Sequence, residues 1–308
     1  MNTASTPRLI TLGETMVMIT PAHAQPLATA HELRLHVGGA ESNVACHAAA
    51  LGVDTAWVSA VGGDVLGERV RATVAARGVD VQWVRTDPHA PTGVYFKDPG
   101  NGVLYYRRGS AAAQMGPAVV ADVPLEDAAV VHISGITPAL SATCAALIET
   151  IAERVGGSEA LLSFDVNHRA ALWGQGQAAS ALLALARRAD LVFVGLDEAE
   201  TVWGCTSPDA VRRLLPEPAV LVIKDGAVGA TEYARAGGSG DTLTFVAAIP
   251  TDVVEPVGAG DAFAAGYLAA FIGGADAAAR LTAGHERARL VLRSTSDFVD
   301  ETSMEGLS

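Results

Sequence analysis

Lysine is nearly missing from this 308-residue chain, where Lys97 and Lys224 are the only two. Neither follows a glycine, so a glycine-rich phosphate loop ending in Gly-Lys-Ser/Thr is excluded, and any nucleotide must be held in another way. There is also no run of Lys or Arg, and the formal net charge is −13, which disfavours a nucleic-acid partner. Cysteine is scarce. Cys46, Cys144 and Cys205 are odd in number, far apart and form no Cys-x-x-Cys pair. That argues against a disulfide framework or a zinc site and for a reducing compartment. The eight histidines contain no His-x-x-x-His pair, and His31, His36 and His47 are spaced as structural residues. The longest charge-free helical stretch, 262–275, is shorter than the ~20 residues of a membrane span. Residues 1–14 show no basic end leading into an apolar stretch. A cytoplasmic protein with no membrane partner is the expectation.

Aromatics are only 5% of the chain, whereas half of it is apolar, with much alanine and glycine. Close packing of helices on a sheet fits that composition better than a large aromatic core. Short apolar runs begin near residues 9, 55, 129, 161, 190 and 219, and alanine-rich helical stretches lie between them. Such alternation predicts an α/β domain with a mostly parallel central sheet covered by helices on both faces. Two regions, about 13–37 and 92–109, are amphipathic and predict a separate small β-sheet lid. The second holds a hairpin signal, Asn101-Gly102, between two strand-like runs. Alternation along its second strand puts Tyr105 and Arg107 on one face and Tyr106 on the other. A single domain spanning 1–308 is expected, and an exposed lid sheet could pair with a second copy. The acidic, polar tail 300–308 is expected to fray.

The most specific segment runs from Glu255 to Gly266, where small residues precede a long apolar helix expected to start near Asp261. Gly258, Ala259 and Gly260 leave the backbone bare, and exposed N–H groups at a helix N-terminus form an anion hole suited to a phosphoryl group in transfer. A carboxylate beside that hole, Asp261, can take the proton from an attacking hydroxyl. By residue type alone a helix cap is the favoured role, and the surrounding glycines reverse that preference. Near the other end of the chain, Gly38 and Gly39 permit close backbone approach, and Asn43 offers a donor and an acceptor to sugar hydroxyls.

Gly258-Ala-Gly-Asp261-Ala-Phe closely resembles the C-terminal signature of the ribokinase-like, or PfkB-type, carbohydrate kinases, and Gly38-Gly-Ala-Glu-Ser-Asn43-Val-Ala resembles their N-terminal sugar signature. Tyr105-Tyr-Arg107-Arg-Gly-Ser-Ala, His132-Ile-Ser-Gly-Ile136 and Asp165-Val-Asn-His-Arg169 are similar to the 2-keto-3-deoxygluconate kinases within that family. The resemblance covers nearly the whole chain. It implies a ribokinase-like three-layer α/β/α fold with a β-sheet lid, ATP and Mg²⁺ as cofactors, a small-molecule sugar acid as substrate, and Asp261 as the base. Arg107 and Arg169 would hold the acid as planar forks, and Tyr95, Tyr105 and Asp297 would line the sugar site. Asn167, Arg169, Lys224, Gly226, Gly229, Gly258, Gly260 and His285 would border the nucleotide. Two departures stand out. Gly195-Leu-Asp197-Glu198 replaces the usual Asn-x-x-Glu, leaving Glu198 to reach a metal through water. Glu255-Pro256-Val257 replaces the usual Asp-Thr-Thr, which puts monovalent-cation activation in doubt. Other readings are a kinase of 2-keto-3-deoxygalactonate, fructose or ribose, or a catalytically silent sugar or nucleotide sensor.

Overall fold

The apolar runs become strands in the computed structural model, which describes residues 7–23, 25–174, 176–236 and 240–294. In chain order the strands are β1 (Leu9–Leu12), β2 (Met16–Pro21), β3 (Leu33–Gly38), β4 (Thr55–Gly62), β5 (Val84–Asp87), β6 (Val94–Asp98), β7 (Gly102–Tyr106), β8 (Val130–Ser134), β9 (Leu161–Asp165), β10 (Leu191–Gly195), β11 (Val220–Asp225), β12 (Gly229–Ala236) and β13 (Gly240–Ala247). The helices are α1 (Ala40–Ala50), α2 (Val65–Ala75), α3 (Thr137–Leu140), α4 (Ala142–Gly156), α5 (Gln177–Arg188), α6 (Leu196–Trp203), α7 (Pro208–Leu214), α8 (Ala259–Ile272) and α9 (Ala277–Leu292).

Among the described residues, the larger sheet has the order β13-β12-β11-β10-β9-β8-β1-β4-β5. Every pairing from β11 to β5 is parallel, and β12 and β13 add an antiparallel edge. Side chains from alternate strand positions feed two cores. Leu9, Val130, Leu191, Phe193 and Val222 pack with Val44 of α1, Phe263 and Tyr267 of α8 and Leu281 of α9. Ile10, Val131, Ile133, Val192 and Val194 pack on the opposite face with Leu147 of α4, Leu182 of α5 and Val211 of α7. Burial on both faces is why these strands are apolar throughout. The α8–α9 crossing is close because both helices carry small residues: a Cβ at Gly266 would lie 2.4 Å from the Ala283 carbonyl oxygen.

The lid is a second sheet of order β3-β2-β6-β7, built from the two regions expected. Its inner face presents Met16, Tyr95, Lys97, Val103 and Tyr105 to a cavity. Its outer face is apolar, with Leu33, Leu35, Leu104 and Tyr106 exposed. The hairpin signalled by Asn101-Gly102 joins β6 and β7. Asp98 pairs with Gly102, so three residues form the loop. Its left-handed positions are Gly100 (φ 85°) and Gly102 (φ 101°), while the Asn101 N–H donates to the Asp98 carbonyl at 2.9 Å.

Candidate active site

Open parallel sheets place ligands beyond the carboxyl ends of their strands, and that is where the lid meets the larger sheet. A cavity of about 640 Å³ lies between them. Asp165 ends β9, Gly195 ends β10, and Lys224 lies near the end of β11; all three line the cavity. From the other side come Gly258, Gly260 and Asp261 at the start of α8.

The start of α8 sets where Asp261 stands. The cap is Gly258, left-handed at φ 86°, and the helix begins at Ala259, two residues earlier than expected. Asp261 therefore stands inside the first turn, and its carboxylate is turned toward side chains. Asn43 Nδ2 donates to one oxygen at 2.9 Å and Asn167 Nδ2 to the other at 3.5 Å. Asn167 is held at φ 35°, the one non-glycine residue described with positive φ. Such backbone strain persists where the surroundings impose it, commonly at functional sites, and the buried Asn167 Oδ1 has no hydrogen-bond partner.

A cation stands in front of this helix end. Lys224 Nζ donates to Asp165 Oδ2 at 2.9 Å, and a Cβ on Gly260 would lie 3.6 Å from the same ammonium. Burial works against the lysine's charge, but Asp165, Glu198 and Asp261 outweigh it and hold its pKa above the ordinary value. Glu198 is shifted up, by burial first and by Asp165, against the pull of Lys224 and Arg169. Its oxygens accept the His168 N–H and the Gly195 N–H, each at 2.9 Å. Arg169 is half exposed, with Nη1 3.9 Å from Glu198. Among the described residues no group of three His, Cys, Asp or Glu side chains gathers to hold a metal.

On the lid side, the Arg107 guanidinium lies 4.5 Å over the Tyr105 ring, and Tyr105 stacks on Tyr95 with centroids 5.7 Å apart. Tyr105 and Arg107 face the cavity while Tyr106 points outward, as alternation required. Arg107 Nη1 also approaches the buried Glu14 to 3.2 Å. Lys97 Nζ reaches across the cavity mouth to within 3.8 Å of Glu255 Oε2, in the loop before α8.

Of the residues singled out in the sequence, the cavity brings together Gly38, Gly39, Asn43, Tyr95, Tyr105, Arg107, Asn167, Arg169, Glu198, Lys224, Gly226, Gly258, Gly260 and Asp261. Ala259, Gly229 and His285 are not among its lining residues. A Cβ at Gly229 would lie 2.4 Å from the Val246 carbonyl oxygen, so its lack of a side chain serves the β12–β13 pairing. His285 is buried behind α8, edge-on to Phe263, with Nε2 donating to the Val246 carbonyl at 3.1 Å. Asp297 lies outside the described residues. The sequence reading assigned no role to Glu14, Lys97 or Asp165. A usable signal existed for Asp165, which closes an apolar strand at its carboxyl end.

Residues 6–301 match the pfkB family of carbohydrate kinases. A 2-dehydro-3-deoxygluconokinase of Thermoproteus tenax is 33% identical over 285 residues, covering 87% of this chain and 83% of its own. A 2-dehydro-3-deoxygalactonokinase of Haloferax volcanii is 32% identical over 294 residues, covering 92% and 91%. Among solved structures, a PfkB protein from Polaromonas sp. JS666 superposes with a TM-score of 0.86 at 32% identity, covering 94% of this chain and 96% of that one. The fold is thus ribokinase-like, and the chain belongs to the pfkB family of carbohydrate kinases.

Proposed function

We propose that the chain, acting as one domain, transfers the γ-phosphoryl group of ATP to the terminal hydroxyl of 2-keto-3-deoxygluconate, giving the 6-phosphate, with Asp261 as general base. The observation that carries this reading is the pairing in one cavity of a carboxylate at a bare helix N-terminus with a stacked, mostly buried arginine from the lid. The names of two relatives, a gluconate and a galactonate enzyme at similar identity, support a keto-deoxy acid and leave its stereochemistry to experiment.

The residues present fit a nucleotide triphosphate. Gly258, left-handed at the helix cap, and Gly260 bring backbone to the cavity wall, and Lys224 supplies a fixed positive charge beside them. Bound MgATP supplies the transferable phosphoryl group, with the metal neutralising phosphate charge. Glu198 would reach that metal through water, since both of its oxygens already accept from the backbone. The N–H groups at the start of α8 meet the charge that develops during transfer. Asn43 and Asn167 aim the Asp261 oxygens, and Asp261 removes the proton of the hydroxyl as it attacks. Arg107, its plane fixed by Tyr105, takes the substrate carboxylate at the far end of the sugar. Arg169 assists from the cavity mouth. Tyr95, Val103 and Tyr105 cover the site and exclude water that would otherwise waste ATP.

A second copy of the chain covers the apolar outer face of the lid. The protein works in the cytoplasm, a location supported by three cysteines that are all buried, with Cys46 in a different core cluster from Cys144 and Cys205. No described helix is long and apolar enough to cross a membrane.

Coupled ADP release with MgATP and a panel of 2-keto-3-deoxygluconate, 2-keto-3-deoxygalactonate, fructose and ribose tests the reaction. Preference for the keto-deoxy acids is expected. A preference for fructose or ribose would discard the acid pocket while leaving the kinase.

A further inference from the structure

Glu14 follows β1 and is 3% exposed. Ser110 Oγ donates to its Oε1 at 3.1 Å, and its Oε2 lies 3.2 Å from Arg107 Nη1. The ion pair is close but poorly aligned: Glu14 Oε2, Arg107 Nε and Arg107 Nη1 are all buried without a hydrogen-bond partner. The carboxylate balances the guanidinium's charge and leaves its directional donors unspent. A buried charge needs a counter-ion, and removing one partner is costly. A second carboxylate entering beside Arg107 would place two anions against one largely buried cation.

We propose that Glu14 is an internal stand-in for the substrate carboxylate, balancing Arg107 while the site is empty and taking a proton from solvent when a sugar acid binds there. The inference rests on the sugar-acid reading above and makes Glu14 a positioning and specificity residue for it. The groups around Glu14 act in both directions. Arg107 and Ser110 approach it from the segment after β7, Glu41 of α1 adds a second buried negative charge, and the field of Glu14 extends to Cys144 of α4. Asp261 adds to the negative field at Glu41. Burial raises the Glu14 carboxyl above its ordinary range even with Arg107 and Ser110 pulling it down. Losing Arg107 to the substrate raises it further.

Binding that takes up a proton weakens as pH rises. Glu14→Gln imitates the protonated acid: it is neutral, keeps the shape, and still accepts from Ser110. It should bind a sugar acid at least as tightly as the wild type. An ordinary salt-bridge partner predicts the opposite.

The test is calorimetry of 2-keto-3-deoxygluconate binding in buffers of high and low ionisation enthalpy, together with the pH dependence of its KM. The wild type should take up a proton at about pH 8, and its KM should rise by up to about tenfold per pH unit. Glu14→Gln should show no uptake, a flat KM, and a lower KM than wild type at the alkaline end. Buffer-independent heats in the wild type, or weaker acid binding by Glu14→Gln at every pH, would overturn the proposal. The wild-type measurement decides alone should the variant not fold. Phosphorylation of neutral sugars with no binding of the acid would remove the sugar-acid reading and this inference with it.

Discussion

Asp261 occupies the third position of α8, inside the cap formed by Gly258, and both of its oxygens accept from side-chain amides. Aspartate is a preferred capping type, so residue identity alone favoured the cap over the base. Gly258, in its left-handed conformation, takes the cap, and Asp261 lines the cavity. Asp261→Asn keeps the size and polarity, and the amides of Asn43 and Asn167 can turn to present oxygen to it. We expect kcat to fall by roughly 10² to 10⁴, with the dissociation constants for sugar and nucleotide little changed. Turnover at the wild-type rate would remove Asp261 as the base. The glycines, amides and arginines of the cavity were legible because their types are unusual in those places. Glu14 and Lys97 were not, because each gains its meaning from a partner far along the chain, Arg107 and Glu255 respectively.

At the level of elements, what was legible was what burial imposes. The six apolar runs became the central parallel strands because both of their faces meet helices. The edge strands β5 and β13 went unassigned, since the residues of β13 are largely exposed and carry no continuous apolar run. The hairpin of the small sheet is legible from Asn101-Gly102, a strong local signal, while its register is set by the pairing of Asp98 with Gly102. The same alternation leaves Leu33 and Leu35 of β3 and Leu104 and Tyr106 around β7 exposed on the outer face, each 44% or more. A contiguous apolar sheet face of this kind is a common protein-interaction surface. If a second copy covers it, Leu104→Asp buries an unpaired charge in that interface, and the sedimentation coefficient should shift from dimer to monomer with the fold intact. A wild-type protein that sediments as a monomer at high concentration would refute the pairing.

The stability of the whole molecule should carry the mark of its buried acids. Glu41 is 1% exposed, accepts from Ser134 Oγ at 2.6 Å, and has one oxygen without a hydrogen-bond partner. Burial, chiefly, with the negative charges of Asp261 and Glu14, raises its pKa from 4.5 to about 7. The folded state therefore binds this proton more tightly than the unfolded chain does. The stabilisation is fully present below about pH 4.5, declines as pH rises, and is spent above about pH 7. A shift of this size corresponds to about 3 kcal/mol. Glu41→Gln stays neutral at every pH and keeps an oxygen for Ser134, so the wild type should lose stability relative to it between pH 5 and pH 8, by about 5 °C in Tm. Because each buffer's general effect falls on both proteins, only the difference between their melting curves is read. Parallel curves across that range would show that Glu41 holds its proton equally in both states, and that its carboxylate is solvated in a way its burial does not allow.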